Sequence, residues 1–429
     1  MQILGPKRLN RAIDRNLLDK NGAVDVFGSA PLDLRFALQK TLDPRITFTR
    51  ASSGTYVGAD GLVKTAATNE ARFDHNPTTG ESLGLLVEEA RTNLMRSSED
   101  FSFWTATGAS VTVDVATAPD GTTTADLWTN TTTPGILHQV YTKDTVARTY
   151  TGSLWVKPLI GSGLTAFTVS IDDGSSTNRG RATFNLRTGV YSSAANDGTF
   201  TNTSGTITAY PGEWYRLTIT TTTSTGTTTR LRPFFSTTGG TVNVWGAQME
   251  EGSFPTSYIP TTTATVTRAA DVASITGTNF SSWYNQTEGT VFVDSTQTTT
   301  ASQRLLSASD NSISNRVQLS RAAASSGNIQ MGVSVGGAAQ VTSLILGSNL
   351  AAGTSNKVAA GYKAADFAGN VNGLAAVTQG TGTVPSAVTQ LAIGSGEAIG
   401  SAPMTGTIKR LTYWPTRLAN ATLQSITAP

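Results

Sequence analysis

The chain has 429 residues, of which only 14% are charged, and 31 Lys and Arg against 29 Asp and Glu leave a formal charge of +2. That balance gives no electrostatic basis for wrapping nucleic acid or coating an anionic membrane. With no cysteine, disulfides and thiolate metal sites are excluded, and no window approaches the roughly 20 apolar residues of a membrane helix.

A chain of this length exceeds what one hydrophobic core normally serves, and 42 glycines with Thr-rich tracts suit many short strands joined by turns. The expected fold class is therefore all-β, with two tandem antiparallel β-sandwiches behind a short helical segment. Residues 1–10 carry two basic residues but no apolar stretch after them, so a signal peptide is not expected and synthesis in a cytoplasm is. Leu9, Ile13 and Leu17 recur at helical spacing, with Arg11 and Arg15 in the same turns, which predicts a basic amphipathic helix. A second helix is expected to open at Pro31, carry Leu34 and Leu38, and stop at Asp43-Pro44. Both are too short to be stable alone, so their apolar faces need a partner, either their own chain or another protein.

From Ile46 the pattern changes to strands. Gly58-Ala-Asp-Gly61 predicts a hairpin turn, and residues 46–92 read as a β-rich connector. Strands are expected at 110–116, 136–142, 150–158, 166–172, 181–185, 213–220, 230–235 and 241–249, a count and spacing that imply a jelly roll over residues 93–262. The Thr-rich tract 220–229 reads as the two ends of a hairpin, and residues 261–268 as a linker. A second sandwich is expected over residues 263–429, with strands at 290–294, 304–308, 317–320, 330–335, 357–362, 367–371, 390–393 and 406–414. No fixed-period repeat runs along the chain, which argues against a parallel β-helix.

Catalytic chemistry has little to stand on. His75 and His138 are the only imidazoles and neither sits in a nucleophile-base motif, while the doublets Glu88-Glu89, Asp172-Asp173 and Glu250-Glu251 place neighbours on opposite faces of a strand. Asp172-Asp173-Gly174 reads as turn chemistry, and no EF-hand-like loop appears, so no catalytic residue, cofactor or metal ligand is assigned, a structural calcium from scattered oxygens being left open. Strand parity places Trp155 with Lys157 on one face and Trp245 on the matching face of its own strand, with Arg232 expected nearby. An indole pair beside cationic donors is what stacking on a sugar requires, so these four are the candidate glycan-binding residues. The competing reading makes the two indoles a second core layer under a loop or a subunit interface. Trp214, Trp283 and Trp414 read as structural.

Four stretches resemble a family of structural proteins of tailed bacteriophages: Phe48-Thr-Arg-Ala-Ser-Ser-Gly-Thr-Tyr-Val57; Arg72-Phe-Asp-His75 with Gly84-Leu-Leu-Val-Glu-Glu-Ala-Arg-Thr-Asn-Leu94; Trp245-Gly-Ala-Gln-Met-Glu-Glu-Gly-Ser-Phe-Pro-Thr-Ser-Tyr-Ile-Pro260 with Thr267-Arg-Ala-Ala-Asp271; and Gly406-Thr-Ile-Lys-Arg-Leu-Thr-Tyr-Trp-Pro415 with Arg417-Leu-Ala-Asn-Ala-Thr-Leu423. The resemblance implies a connector, a carbohydrate-binding-module-like jelly roll and a laminin-G or concanavalin-like sandwich. It implies a non-enzymatic part of the virion, such as a homotrimeric tail fibre that meets host-surface glycan. A capsid or baseplate component making only protein contacts is the alternative, and a polysaccharide depolymerase a third. On this reading Leu9, Arg11, Ile13, Arg15 and Leu17 hold other virion proteins. Sandwiches host many jobs, so the glycan expectation is an analogy at this stage.

Overall fold

The computed structural model describes residues 26–429 except 160, 162 and 323–326. Strands make up 50% and helices 6%, so the all-β expectation holds. The chain divides into two compact units, one of Phe48–Asp271 and one of Val272–Pro429 with residues 26–47.

In the unit Phe48–Asp271, two six-stranded antiparallel sheets face each other. One runs Thr201–Tyr210, Trp214–Thr222, Thr149–Pro158, Thr241–Glu251, Ala125–Asn130, Ala109–Ala116; the other Val190–Asp197, Arg179–Asn185, Ala166–Asp172, Thr228–Phe235, Gly135–Thr142, Thr105–Thr107. Alternation builds the layer between them. Gly180, Ala182 and Phe184 point inward along one strand while the residues between them stay half-exposed. Leu154, Val156, Phe167, Val169, Ile171, Leu217, Leu231 and Val244 meet there, each fully buried and each contributing about 2 kcal/mol of apolar transfer. At Gly152 a Cβ would come within 2.6 Å of Leu231 Cδ1, so the two sheets approach too closely at that point for any side chain.

The Thr-rich tract does not form a hairpin. Trp214–Thr222 belongs to the first sheet and Thr228–Phe235 to the second, so residues 223–227 cross between layers. Thr side chains suit either connection, and the sheet change is set by Leu217, Ile219 and Leu231 packing face to face across the core. The segment 261–268 is likewise more than a linker, because Val266–Arg268 pairs with Arg91–Asn93. The expected turn at Gly58 to Gly61 does join paired strands, Gly54–Val57 and Val63–Ala66.

The second unit is also a sandwich. One sheet runs Val377–Gln379, Asp366–Val371, Ser355–Lys363, Glu288–Gln297, Gly406–Trp414, and the other Val272–Thr276, Gln390–Ile393, Gln303–Ser309, Arg316–Arg321, Ile329–Val335, Ala338–Gly347. The expected helix from Pro31 is replaced by a strand, Leu32–Leu34, paired with Gly406–Trp414, and a single helical turn, Phe36–Gln39. Burial with period two explains the change: Leu32 and Leu34 are buried, while Asp33 between them accepts Arg410 Nε and Nη2 at 2.7 Å and Thr412 Oγ1 at 2.8 Å. Leu38, which the helical reading placed on the apolar face, is 71% exposed. Just upstream, Phe27 packs its ring against Phe292 (5.3 Å) and Trp414 (5.4 Å), and Trp414 Nε1 donates to the Val26 carbonyl.

Candidate functional site

Trp155 and Trp245 are brought together as their parity requires, directly opposite in register and 5.3 Å between ring centroids. They are not a surface platform, since each is 1% exposed. Leu154 and Val156 face the core between the sheets, so Trp155 points away from it, into a second apolar layer made with Val63, Ala118, Trp214 and Tyr258. Val63 of the connector and Tyr258 of the exit segment fold over the sheet to close that layer. A sugar cannot stack on a ring whose faces are already covered. Arg216 lies 4.6 Å from the centroid of Trp155, and Lys157, on the same strand face, is half-buried opposite Asn243.

Arg232 is not beside the indoles. Its neighbour Leu231 faces the core from the second sheet, which turns Arg232 outward on the other side of the sandwich. Paired spacing gathers a polar group around it: Asp172 lies opposite Arg230 and Arg179, and Arg179 opposite Asp197. Arg230 Nε is 2.5 Å from Asp172 Oδ1, Arg232 Nη1 3.6 Å from Asp172 Oδ2, and Arg179 and Arg181 each place Nε about 3 Å from Asp197 Oδ2. The Phe234 ring lies between two guanidinium groups, 5.6 Å from Arg179 and 5.2 Å from Arg232. Asp172 also accepts the Gly174 amide at 3.0 Å, which is the turn chemistry expected of that doublet, and Asp173 caps the same turn by accepting the Ser175 amide.

Four guanidinium groups thus share Asp172 and Asp197 on one sheet face, with Asp173 in the adjoining turn. Each guanidinium has five N–H donors in a fixed plane, more than two carboxylates can satisfy. Arg232 Nη1 and Asp172 Oδ2 are both buried without a hydrogen-bond partner. His138 stands on the same face, where burial, and after it the charges of Arg230 and Arg232, push its imidazole below its usual pKa and keep it neutral near pH 7. Burial likewise lowers Arg232, which remains cationic because guanidinium titrates far above neutrality. Asp172 is fully buried and Arg232 nearly so, so they hold the group together from beneath, and the groups presented outward are Arg181 and Asp197 with the half-buried Arg179, Arg230 and Phe234. Arg179, Arg181 and Arg230 were not among the residues singled out from sequence.

The remaining candidates are structural. His75 Nδ1 lies 3.0 Å from the Val57 carbonyl, Glu88 is buried among arginines, and Glu250 accepts the Thr256 amide at 3.0 Å. Trp214, Trp283 and Trp414 are buried. Among the described residues no group of three or more His, Asp or Glu is placed to hold a metal, and no helix is long and apolar enough to cross a membrane. Leu9, Arg11, Ile13, Arg15 and Leu17 lie outside the described residues.

No protein-family profile matches the chain, and no curated protein does. Among solved structures, it is similar to the CBM40 of the Ruminococcus gnavus IT-sialidase bound to alpha2,3 sialyllactose, at 19% identity and TM-score 0.29 over 34% of this chain and 84% of that one. The NanB sialidase from Streptococcus pneumoniae aligns at 14% identity and TM-score 0.30, over 36% of this chain and 27% of that one. A SAP-like pentraxin from Limulus polyphemus aligns at 16% identity and TM-score 0.27, over 33% and 70%.

Proposed function

We propose that this chain is a non-enzymatic structural protein of a tailed-phage particle, a trimeric fibre or tail-attached component that meets host-surface glycan through the outward face around Arg181 and Asp197. The resemblance of four sequence stretches to phage structural proteins supports the virion placement. The observation that carries the adhesive role is the arginine and aspartate face itself. A sugar presents vicinal hydroxyls that donate and accept at once, and paired guanidinium and carboxylate groups on a rigid sheet answer both needs without reorganisation. Part of the other sheet of the same unit is covered by the connector and exit segment, whereas Arg181 and Asp197 reach solvent on this one.

The test is binding of the full-length chain to purified host-surface polysaccharide, with Arg181→Ala and Arg179→Ala beside it. Saturable binding weakened about tenfold by either change, the loss of one charge-assisted hydrogen bond, supports the reading. Absence of binding at high concentration would leave a capsid or baseplate part making only protein contacts. Release of reducing ends from the polysaccharide would make the chain a depolymerase instead.

A further inference from the structure

The face around Arg181 and Asp197 carries more positive charge than its own carboxylates balance. The guanidinium groups of Arg179, Arg181, Arg230 and Arg232 stand against Asp172, Asp197 and, in the adjoining turn, Asp173, which leaves one positive charge over while His138 is neutral. We infer that the sugar taken here is acidic, a pyranose unit carrying a single negative charge that settles on Arg181 with Arg179 and Arg230 beside it. The inference rests on the proposed function and names the class of glycan which that face selects.

Strand register places the excess. Ala195, Arg181, Ser170 and Arg232 lie in one row across four strands, and that row holds no carboxylate. Asp172 and Asp197 both stand in the next row, with Arg179 and Arg230. Ser170, between the two cations, answers neither of them, because its buried hydroxyl is turned to the Arg232 carbonyl at 2.9 Å. Arg181 reaches Asp197 through a long Nη2 bond of 3.3 Å and an Nε contact of 3.2 Å, and its Nη1 makes no hydrogen bond among the described residues. Beneath it Arg232, 7% exposed, has Nη1 without a hydrogen-bond partner. Burial foremost, and then the charges of Arg179 and Arg230 against the pull of Asp172, lower Arg232. An anion over this row relieves the repulsion among the guanidinium groups and meets donors already in place, so it gains more there than from a lone surface arginine. Asp197, half-exposed beside Arg181, accepts from sugar hydroxyls and repels a second negative charge. One charge on a hydroxyl-bearing ring therefore matches the face better than a phosphate does.

The experiment is a ligand-observed NMR titration of the full-length chain with glucuronate, galacturonate and glucose 6-sulfate. Glucose and galactose are the neutral partners, and acetate is the anion without a ring. The series is repeated on Arg181→Ala and, as a control for charge elsewhere, on Lys64→Ala. Both side chains reach solvent, at 40% and 38% exposure, so both variants keep the fold. The expected result is that at least one acidic sugar binds about tenfold more tightly than its neutral partner and than acetate, loses about tenfold in Arg181→Ala, and is unchanged in Lys64→Ala. Whether the uronates or the sulfate ester bind identifies the charge. Neutral sugars bound as tightly as the acidic ones, and weakened by Arg181→Ala, would overturn the inference while leaving the face a glycan site. Acetate bound as tightly as the acidic sugars, or an equal loss in Lys64→Ala, would overturn it as attraction to charge alone. No binding of any sugar, acidic or neutral, would remove the glycan role of the face together with the inference.

Discussion

Arg50 and Asp271, 221 residues apart in sequence, meet with Nη1 3.0 Å from Oδ1, and neither side chain is exposed. The same carboxylate receives Arg72 and the Glu88 amide, while Glu88 receives Arg72 at 2.8 Å and Arg268 at 3.0 Å. The beginning of the unit Phe48–Asp271 is thereby locked to its end through three guanidinium groups and two carboxylates. Such a cluster is costly to desolvate, so its benefit lies in fixing one arrangement of the connector over the sheet and the Trp155 layer beneath it.

Removing one member should therefore cost far more than removing an exposed pair. Asp271→Asn leaves Arg50 and Arg72 short of a counter-charge in a dry site and is expected to lower unfolding stability by about 3–5 kcal/mol. Asp60→Asn, which breaks the exposed pair with Lys64, is expected to cost below about 1 kcal/mol. Urea midpoints of the two variants measure the difference, and equal small losses would mean that the cluster does not hold the unit together.

Acid behaviour separates into two adjacent windows. Burial pushes Glu88 up, but the nearby charges of Arg268 and Arg72 outweigh it and hold the carboxyl down at about 2. Its contribution is present above the unfolded value near pH 4.5 and is lost as pH falls toward 2. Burial instead raises Asp74 and Asp126 to about 6. For these two, the unfolded chain releases its proton first as pH rises from about 4 to about 6, so stability declines across that interval and is level above it. Thermal midpoints from pH 2 to 8 should rise and then fall, and Asp74→Asn, which keeps the acceptor for the Val57 amide, should flatten the falling limb.

Trp155→Ala is expected to destabilise by about 3–5 kcal/mol, because it empties a buried ring from a layer that has no solvent to fill the gap. Trp155→Phe should recover most of that loss. Calorimetry on both, with polysaccharide binding measured below the melting range, distinguishes packing from recognition. A stable Trp155→Ala protein that has lost binding would return the indole to the recognition surface.

What the sequence disclosed follows from where its signals are local. Strands 166–172 and 241–249 carry strong apolar alternation and were legible. Val190–Asp197 and Thr201–Tyr210 were not, because Ser, Thr, Asn and Ala fill both faces and leave no period to read. Parity correctly put Trp155 and Trp245 on one face, but whether that face is wet depends on residues as distant as Val63 and Tyr258 folding over it, which no window contains. The arginine face did leave a local trace: Arg179 and Arg181 in one strand and Arg230 and Arg232 in another are spaced by two, each pair on a single face.

The segment 1–45, expected from sequence to act as one unit, includes residues that belong to the sandwich of Val272–Pro429. Phe27 sits among Phe292 and Trp414 with the Arg410 guanidinium over its ring at 3.6 Å, and Asp33 pairs with Arg410, so residues from Val26 onward belong to the sandwich of Val272–Pro429. A deletion of residues 1–45 would strip that packing and confuse attachment with folding. Deleting residues 1–25 leaves it intact, and this shortened chain is expected to melt within a few degrees of the full chain. If Leu9, Arg11, Ile13, Arg15 and Leu17 hold the particle, the same deletion abolishes incorporation into virions, read by blotting purified particles from a complementation assay. Phe27→Ala supplies the converse, a loss of about 3 kcal/mol in stability with the segment 1–25 still present. Particles that incorporate the shortened chain normally would remove the anchoring role from those five residues and move the search to the surface of the folded units.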